Sequence, residues 1–507
     1  MPERDATSGR QPVRDDYAIL DSADAGGMAI RGGAMRTGAF AGSLLLALLT
    51  APLLVRHLGD ADFGRYSSVL AVVAIVAGLT EGGVNSIAMR SLSGAENEQE
   101  RDRVMRDLLG LRLLLSAAGI AVAVGFVQLA GYGGDLVVGA LCAGIGMLLA
   151  VTQTLLGAVL QTQMRFGVAA AIELARGALT AALIVVLVVV GADVLAFLVI
   201  GIPSALLALL LTIRVVRGSI VLRPAFHVER WLPLLRETAI FAVAVAVNSL
   251  YFRVTLVIMS LVTTAVQTGH FAISFRVMEV LIGVPAILTT AAFPILARAV
   301  RDDRVRFAWA SGRLFELALL SGVLLTLGVA LGAPFVVEVL TGSGEHPATN
   351  VLRIQSLAMI GIFVASATGY PLLSLRRHRT ILFANLGSMA VVVILALILA
   401  PAIGAQGGAI AGVAADFTLC IANTALLVRN GGPRLPLAAV PVAIGAGGLA
   451  YIGGSLAGLH PLAEAAIGVA LYLALLLALR RFPPEVRELL RRRRAHVAAP
   501  PGGDGAD

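Results

Sequence analysis

Apolar residues run through this chain in blocks of about twenty, separated by short polar or charged connections. Residues 58–90, LGDADFGRYSSVLAVVAIVAGLTEGGVNSIAMR, show the pattern: a charged turn, a long apolar run, then Glu81 and Asn85 near its far end. A helix needs roughly 20 apolar residues to cross about 30 Å of hydrocarbon. In lipid every backbone N–H and C=O must find a partner within the protein, which the helix provides by itself. The blocks predict about fourteen spans, near 34–55, 66–90, 107–130, 136–160, 168–190, 194–213, 237–262, 271–297, 314–340, 351–374, 380–401, 406–428, 436–456 and 461–479. The expected fold class is an all-α polytopic membrane protein.

Charge gives the spans an orientation. All 39 basic residues are arginine, and those in the connections alternate sharply from one side to the other, except in the first outer loop, where Arg56 and Arg65 are balanced by Asp60 and Asp62. One set carries Arg90, Arg101, Arg103 and Arg106, then Arg165, then Arg214, Arg217, Arg223, Arg230 and Arg236. Arg298, Arg301, Arg304 and Arg306, then Arg376, Arg377 and Arg379, then Arg429 and Arg434 continue it, whereas the loops GYGGD, GAD, TTAVQTG, PAIGAQ and AGLHP hold none. By the positive-inside rule the arginine-rich side is cytoplasmic. Both termini then lie inside, as an even span count requires.

Composition fits this picture: 507 residues, 58% hydrophobic, only 14% charged, mean hydropathy +0.90. A soluble chain carries about a quarter charged residues. Residues 1–33 are polar and read as a disordered cytoplasmic tail, and 482–507 as a basic cytoplasmic tail. Residues 218–234 are mixed and aromatic, as expected of a linker lying along the inner interface. Cys142 and Cys420 sit in apolar runs without metal-ligand spacing.

PLLVRHLGDADFGRYSSVL has a counterpart some two hundred residues on, IMSLVTTAVQTGHFAISFRV. Gly64-Arg65-Tyr66 answers Gly269-His270-Phe271, each opening a returning helix. Six spans lie between them, so the copies cross in the same direction, as in parallel repeats. The repeat divides the chain into halves at 34–217 and 235–430, with further helices in 431–481.

These residues also resemble a family. LGDADFGRYSSVL with LTEGGVNSIAMR is similar to the first outer turn and second helix of prokaryotic polysaccharide flippases. FAISFRVMEVLIGVPAILTTAAFPILAR resembles their eighth helix, and PAIGAQGGAIAGVAADF the entry to their twelfth. They belong to the multidrug/oligosaccharidyl-lipid/polysaccharide exporter superfamily. The resemblance implies two six-helix lobes around a central cavity, alternating access, and a polyprenyl-diphosphate-linked saccharide as cargo. Membrane lipids and a polysaccharide polymerase or glycosyltransferases are the partners it implies; no nucleic acid and no cofactor are expected. After Tyr251-Phe252-Arg253 this chain has Thr255 where many relatives have an acid, so a coupling role for that acid does not transfer.

A charge at the bilayer centre costs at least about 2.5–3.5 kcal/mol on insertion scales and should face protein or water. Glu173/Arg176, Arg276/Glu279 and Arg313/Glu316 are spaced to share a helix face, as self-contained ion pairs or as functional groups. Arg112, Arg253, Glu81 and Asp416 have no partner on their own helix. Arg112 lies close enough to the cytoplasmic side to snorkel. Arg253, about a turn from Asn248, offers the fixed donors that match a phosphate; the competing reading is an interhelical salt bridge to Glu81 or Asp416. Arg253, Arg276, Arg112, Arg176 and Asn248 are thus the candidate diphosphate and sugar contacts. Glu81, Asn85, Glu279 and Asp416 are the candidate switching or ion-coupling groups, and Asp60, Asp62 and Arg65 the candidate rim of an outer gate.

Other chemistries fit less well. There is no G-x-x-x-x-G-K-[ST] loop, and the seven histidines are scattered, with no metal or base constellation expected. A membrane polymerase would need a sizeable outer loop, and the largest candidate is the short TGSGEHPATN. The lipid II flippase branch suits the span count, but its usual Arg-Asp pair is missing from the first helix, GAFAGSLLLALLTAPLLV. Drug/cation antiporters tend to place an acid in that helix, and none is there. The chain reads as a transporter, not an enzyme.

Overall fold

A computed structural model describes residues 25–81, 83–94 and 97–479. Among these the chain is helical, with no strand. Among the described residues ten helices are long and apolar enough to cross a membrane, and Ser249–Val262 and Ala439–Ser455 are shorter apolar helices. The first helix, α1 (Ala25–Glu81), begins inside the stretch expected as a tail, and it holds the expected span 34–55 and the larger part of 66–90, joined at Gly59. Gly59 has φ 66° and ψ 178°, a conformation open in practice only to glycine, so the chain turns there without unwinding its neighbours. Residues 1–24 of the first expected tail, 1–33, and all of the second, 482–507, lie outside the described residues.

The chain divides into two compact units, 1–54 with 72–250 and 55–71 with 251–507. In the first, α2 (Val84–Gly94) follows a break at Gly83, which has φ 80°, where the Gly-Gly after Glu81 weakens the helix. Then come α3 (Glu98–Leu129), α4 (Gly134–Thr162), α5 (Phe166–Val190), α6 (Val194–Val199) and α7 (Gly201–Val216). Pro203 sits just past the α6–α7 interruption, which its missing N–H makes inexpensive. Met105, Leu108, Leu155, Leu156, Ala208 and Trp231 form the unit's core. The expected interfacial linker runs along α3: Ala225 N–H donates to the Arg106 carbonyl at 2.9 Å, and Val221 N–H to Asp102 Oδ1 at 3.0 Å. It leads into α8 (Val228–Val262).

The second unit holds the end of α8, then α9 (Ala265–Leu281), α10 (Gly283–Asp302), α11 (Arg304–Thr341), α12 (Ala348–Ser356) and α13 (Ala358–Ser374). It continues with α14 (His378–Ile403), α15 (Ala405–Arg429), α16 (Ala439–Ser455) and α17 (Pro461–Ala478). Pro285 lies just after the α9–α10 break, while Pro371 is carried inside α13. The last two helices pack on α11: Phe315, Leu319, Val323 and Leu327 meet Ala443, Ala446, Ala450, Tyr472 and Leu476. Small residues on α16 let the helices approach closely, as lipid-embedded interfaces require.

Candidate functional site

The turn after Gly59 is fastened to the second half of the chain. Gly64 and Gly269, matching members of the two repeats, meet backbone to backbone: a Cβ on Gly64 would lie 2.7 Å from the Gly269 nitrogen, and one on Gly269 would strike the Asp60 carbonyl. That approach brings His270 to Asp60, with Nε2 3.1 Å from Oδ2. His346, in the segment between α11 and α12, places its Nε2 3.0 Å from the other oxygen, Oδ1. Arg56 adds a donor to the Val339 carbonyl at 2.8 Å. Asp62 and Arg65 pair with each other at 2.8 Å on the exposed side of the turn. Two of the seven histidines that look scattered in sequence, His270 and His346, therefore do form a constellation, with Asp60. Gly-basic-aromatic was the signal for His270; nothing in the sequence pointed to His346.

Deeper in the same unit, Arg253 Nη2 and Arg276 Nη1 both donate to Glu279, each at 2.8 Å, one to each carboxylate oxygen. Arg276 and Glu279 are thus not a self-contained pair, and the interhelical partner of Arg253 is neither Glu81 nor Asp416. Two guanidiniums share one carboxylate, which leaves one positive charge in excess. All three side chains remain about a third to a half exposed (33%, 45% and 32%). The side chain of Asn248 lies outside the described residues.

Asp416, buried on α15, accepts from the Tyr251 hydroxyl at 2.5 Å. Ser388 on α14 donates toward the Tyr251 oxygen at 3.3 Å and to the Ala415 carbonyl at 2.6 Å, so three helices close on this point. Beside it lies a cavity of about 60 Å³ lined by Phe252, Thr255, Phe271, Phe275 and Gln355. The Gln355 Oε1 atom is buried without a hydrogen-bond partner. The cavity is lined mainly by apolar side chains, with Thr255, Gln355 and the Tyr251–Asp416 pair as polar groups, and has room for a few water-sized species.

In the first unit Arg112 does not snorkel. It is 1% exposed, donates from Nη1 to the Thr80 carbonyl at 3.1 Å, and has no partner for Nε. Packing of α3 against the end of α1 overrides the short distance to the helix end. Glu81, the next residue after Thr80, acts on Arg112 electrostatically and accepts from Asn85 Nδ2 at 3.1 Å. Arg176 gives Nε and Nη2 to Glu173 Oε2 at 3.0 and 2.8 Å, as the three-residue spacing anticipates. Arg313 and Glu316 also pair, at 2.8 Å.

Kinked helices of this order, carrying buried polar clusters, make up a fold found among transporters. The structure is similar to a lipid II flippase, MurJ, in an inward closed conformation, with a TM-score of 0.73 at 14% identity over 88% of this chain and 98% of that one. It is similar to an inward-facing multidrug resistance MATE family transporter of the MOP superfamily, at 0.62 and 16% over 76% and 94%. A MOP superfamily transporter from Pyrococcus furiosus also matches, at 0.57 and 15% over 83% and 99%. No curated relative matches the chain in sequence. The fold is that of the MOP superfamily, and the chain is a multi-pass membrane protein. Residues 30–300 match the family described as polysaccharide biosynthesis protein, and the chain belongs to that family.

Proposed function

We propose that the protein translocates a polyprenyl-diphosphate-linked oligosaccharide across the plasma membrane by alternating access, for cell-surface polysaccharide assembly. The observation that carries this reading is the Arg253–Glu279–Arg276 cluster, in which two guanidiniums from separate helices converge with excess positive charge and partial exposure. A diphosphate brings what the lone carboxylate lacks, several anionic oxygens that accept from both arginines at once. Glu279 then holds the arginines in place when no cargo is bound. Family membership over residues 30–300 supports a role in polysaccharide assembly. In this reading the halves 34–217 and 235–430 rock against each other with both termini inside. Asp416 and Glu81 serve as coupling or switching groups, and the turn carrying Asp60, Asp62 and Arg65 as an outer gate.

A second reading has support of its own: the likeness to the lipid II flippase at a TM-score of 0.73 favours a peptidoglycan precursor as cargo. Both cargoes present a diphosphate, so Arg253 and Arg276 would act alike. The discriminating experiment is deletion of the protein followed by mass identification of lipid-linked saccharides on the inner leaflet. Accumulated glycan repeat units support the first reading and accumulated lipid II the second. Single repeat units gathered on the outer leaflet would point to a polymerase and remove both.

A further inference from the structure

We propose that Asp60, His270 and His346 form a binding site for a divalent transition-metal ion of the Zn²⁺ class. The three side chains come from separate parts of the chain: the turn after Gly59, the start of α9, and the segment before α12. One ligand atom from each lies within 4.8 Å of the others. Two imidazole nitrogens and a carboxylate oxygen are the donor set Zn²⁺ takes, at about 2.0–2.2 Å each. Ligands at that distance stand roughly 3.3–3.5 Å apart around a tetrahedral ion. The Nε2-to-carboxylate spacings of 3.1 and 3.0 Å, one to each Asp60 oxygen, are close to this, and shifts of the carboxylate and of both rings would bring the three groups around one ion.

The surroundings fix the ligands. His270 and His346 have side-chain exposures of only 8% and 10%, and their rings stand edge to face with centroids 5.2 Å apart. Asp60 is 29% exposed, which leaves a route for the ion and for a solvent ligand. Asp62 is drawn off by Arg65 and takes no part. One contact opposes binding: His346 Nδ1 accepts from Ala348 N–H at 3.2 Å, so Nε2 carries the ring proton. Ligation moves that proton to Nδ1, giving up this bond at the first turn of a nine-residue helix together with the Nε2–H bond to Asp60. Bonds from the ion to two imidazole nitrogens and a carboxylate outweigh these hydrogen bonds. Mg²⁺ and Ca²⁺, which prefer oxygen ligands, gain little here. Because its ligands lie far apart in sequence, the ion would hold the 60–65 turn against α9 and the 343–348 segment.

The test uses the full chain in detergent, purified without a polyhistidine tag, with Zn²⁺ binding measured by calorimetry and by the shift in melting temperature. The wild type should take up about one Zn²⁺ per chain at micromolar concentration. His346→Gln and Asp60→Asn should each weaken binding roughly tenfold or more, and Mg²⁺ should not compete. His378→Gln, at an exposed histidine elsewhere, should bind as the wild type does. Metal-free melting reports whether each variant is folded, and two variants of different chemistry guard against the failure of one. Equal Zn²⁺ binding by the wild type and both variants, or none by the wild type at micromolar concentration, overturns the proposal. Detergent binding needs no cargo, so this outcome is independent of the transport reading.

Discussion

Gly64 and Gly269 press main chain against main chain, and each is the glycine of a Gly-basic-aromatic signature that the sequence repeats. The two copies of the signature thus face each other within one compact unit, and the contact between them sets the distance from Asp60 to His270.

A side chain at this crossing has no room. Gly269→Ala should lower stability by about 1–3 kcal/mol through overpacking against the Asp60 carbonyl. Gly283→Ala, where a Cβ meets nothing within 4 Å, should stay close to the wild type. Melting temperatures in one detergent make the comparison. Equal melting of Gly269→Ala and wild type would show that the main chains can part freely.

Tyr251 and Asp416 should behave as one unit. Tyr251→Phe leaves a buried carboxylate without its hydroxyl donor, at a cost of about 1–3 kcal/mol. In the background of Asp416→Asn the same change should cost clearly less. A double-mutant cycle on unfolding measures the coupling, and strict additivity would mean that the hydrogen bond contributes nothing.

Arg253→Ala should reduce transport tenfold or more at normal expression, and Arg253→Lys should recover only part of it. A lysine keeps the charge and loses the planar fork that matches phosphate oxygens. Inner-leaflet accumulation of the lipid-linked saccharide is the readout. Full activity of Arg253→Ala would remove the diphosphate-holding role.

Glu81 stands as the charge that acts on the buried guanidinium of Arg112. Glu81→Gln should destabilise by about 1–3 kcal/mol, less than the loss of one partner in a direct buried ion pair. Adding Arg112→Met should recover much of that loss, since the stranded charge is then gone. The same Glu81→Gln variant should change how transport depends on the ion gradient. Unchanged transport with unchanged dependence would end the switching role.

The sequence by itself determined the features that depend on local spacing. Blocks of twenty apolar residues dictate membrane helices, because lipid offers the backbone no other partner. A three-residue separation puts Glu173 with Arg176 and Arg313 with Glu316 on one helix face, and the structure pairs both at 2.8 Å. Gly83 and Pro203 lie where helices are interrupted, since one weakens the backbone ladder and the other lacks a donor. Only the tertiary structure decided the encounters between distant segments. Tyr251 and Asp416 are 165 residues apart, and Asp60 and His346 are 286 apart. Glu279 was legible as the partner of Arg276, but Arg253 reaches it only because α8 packs beside α9. Arg112 lay within snorkelling range by length, yet neighbouring helices bury it. A helix fixes what stands three or four residues away, whereas the packing of one helix on another, set by shape along their whole lengths, chooses every partner beyond that.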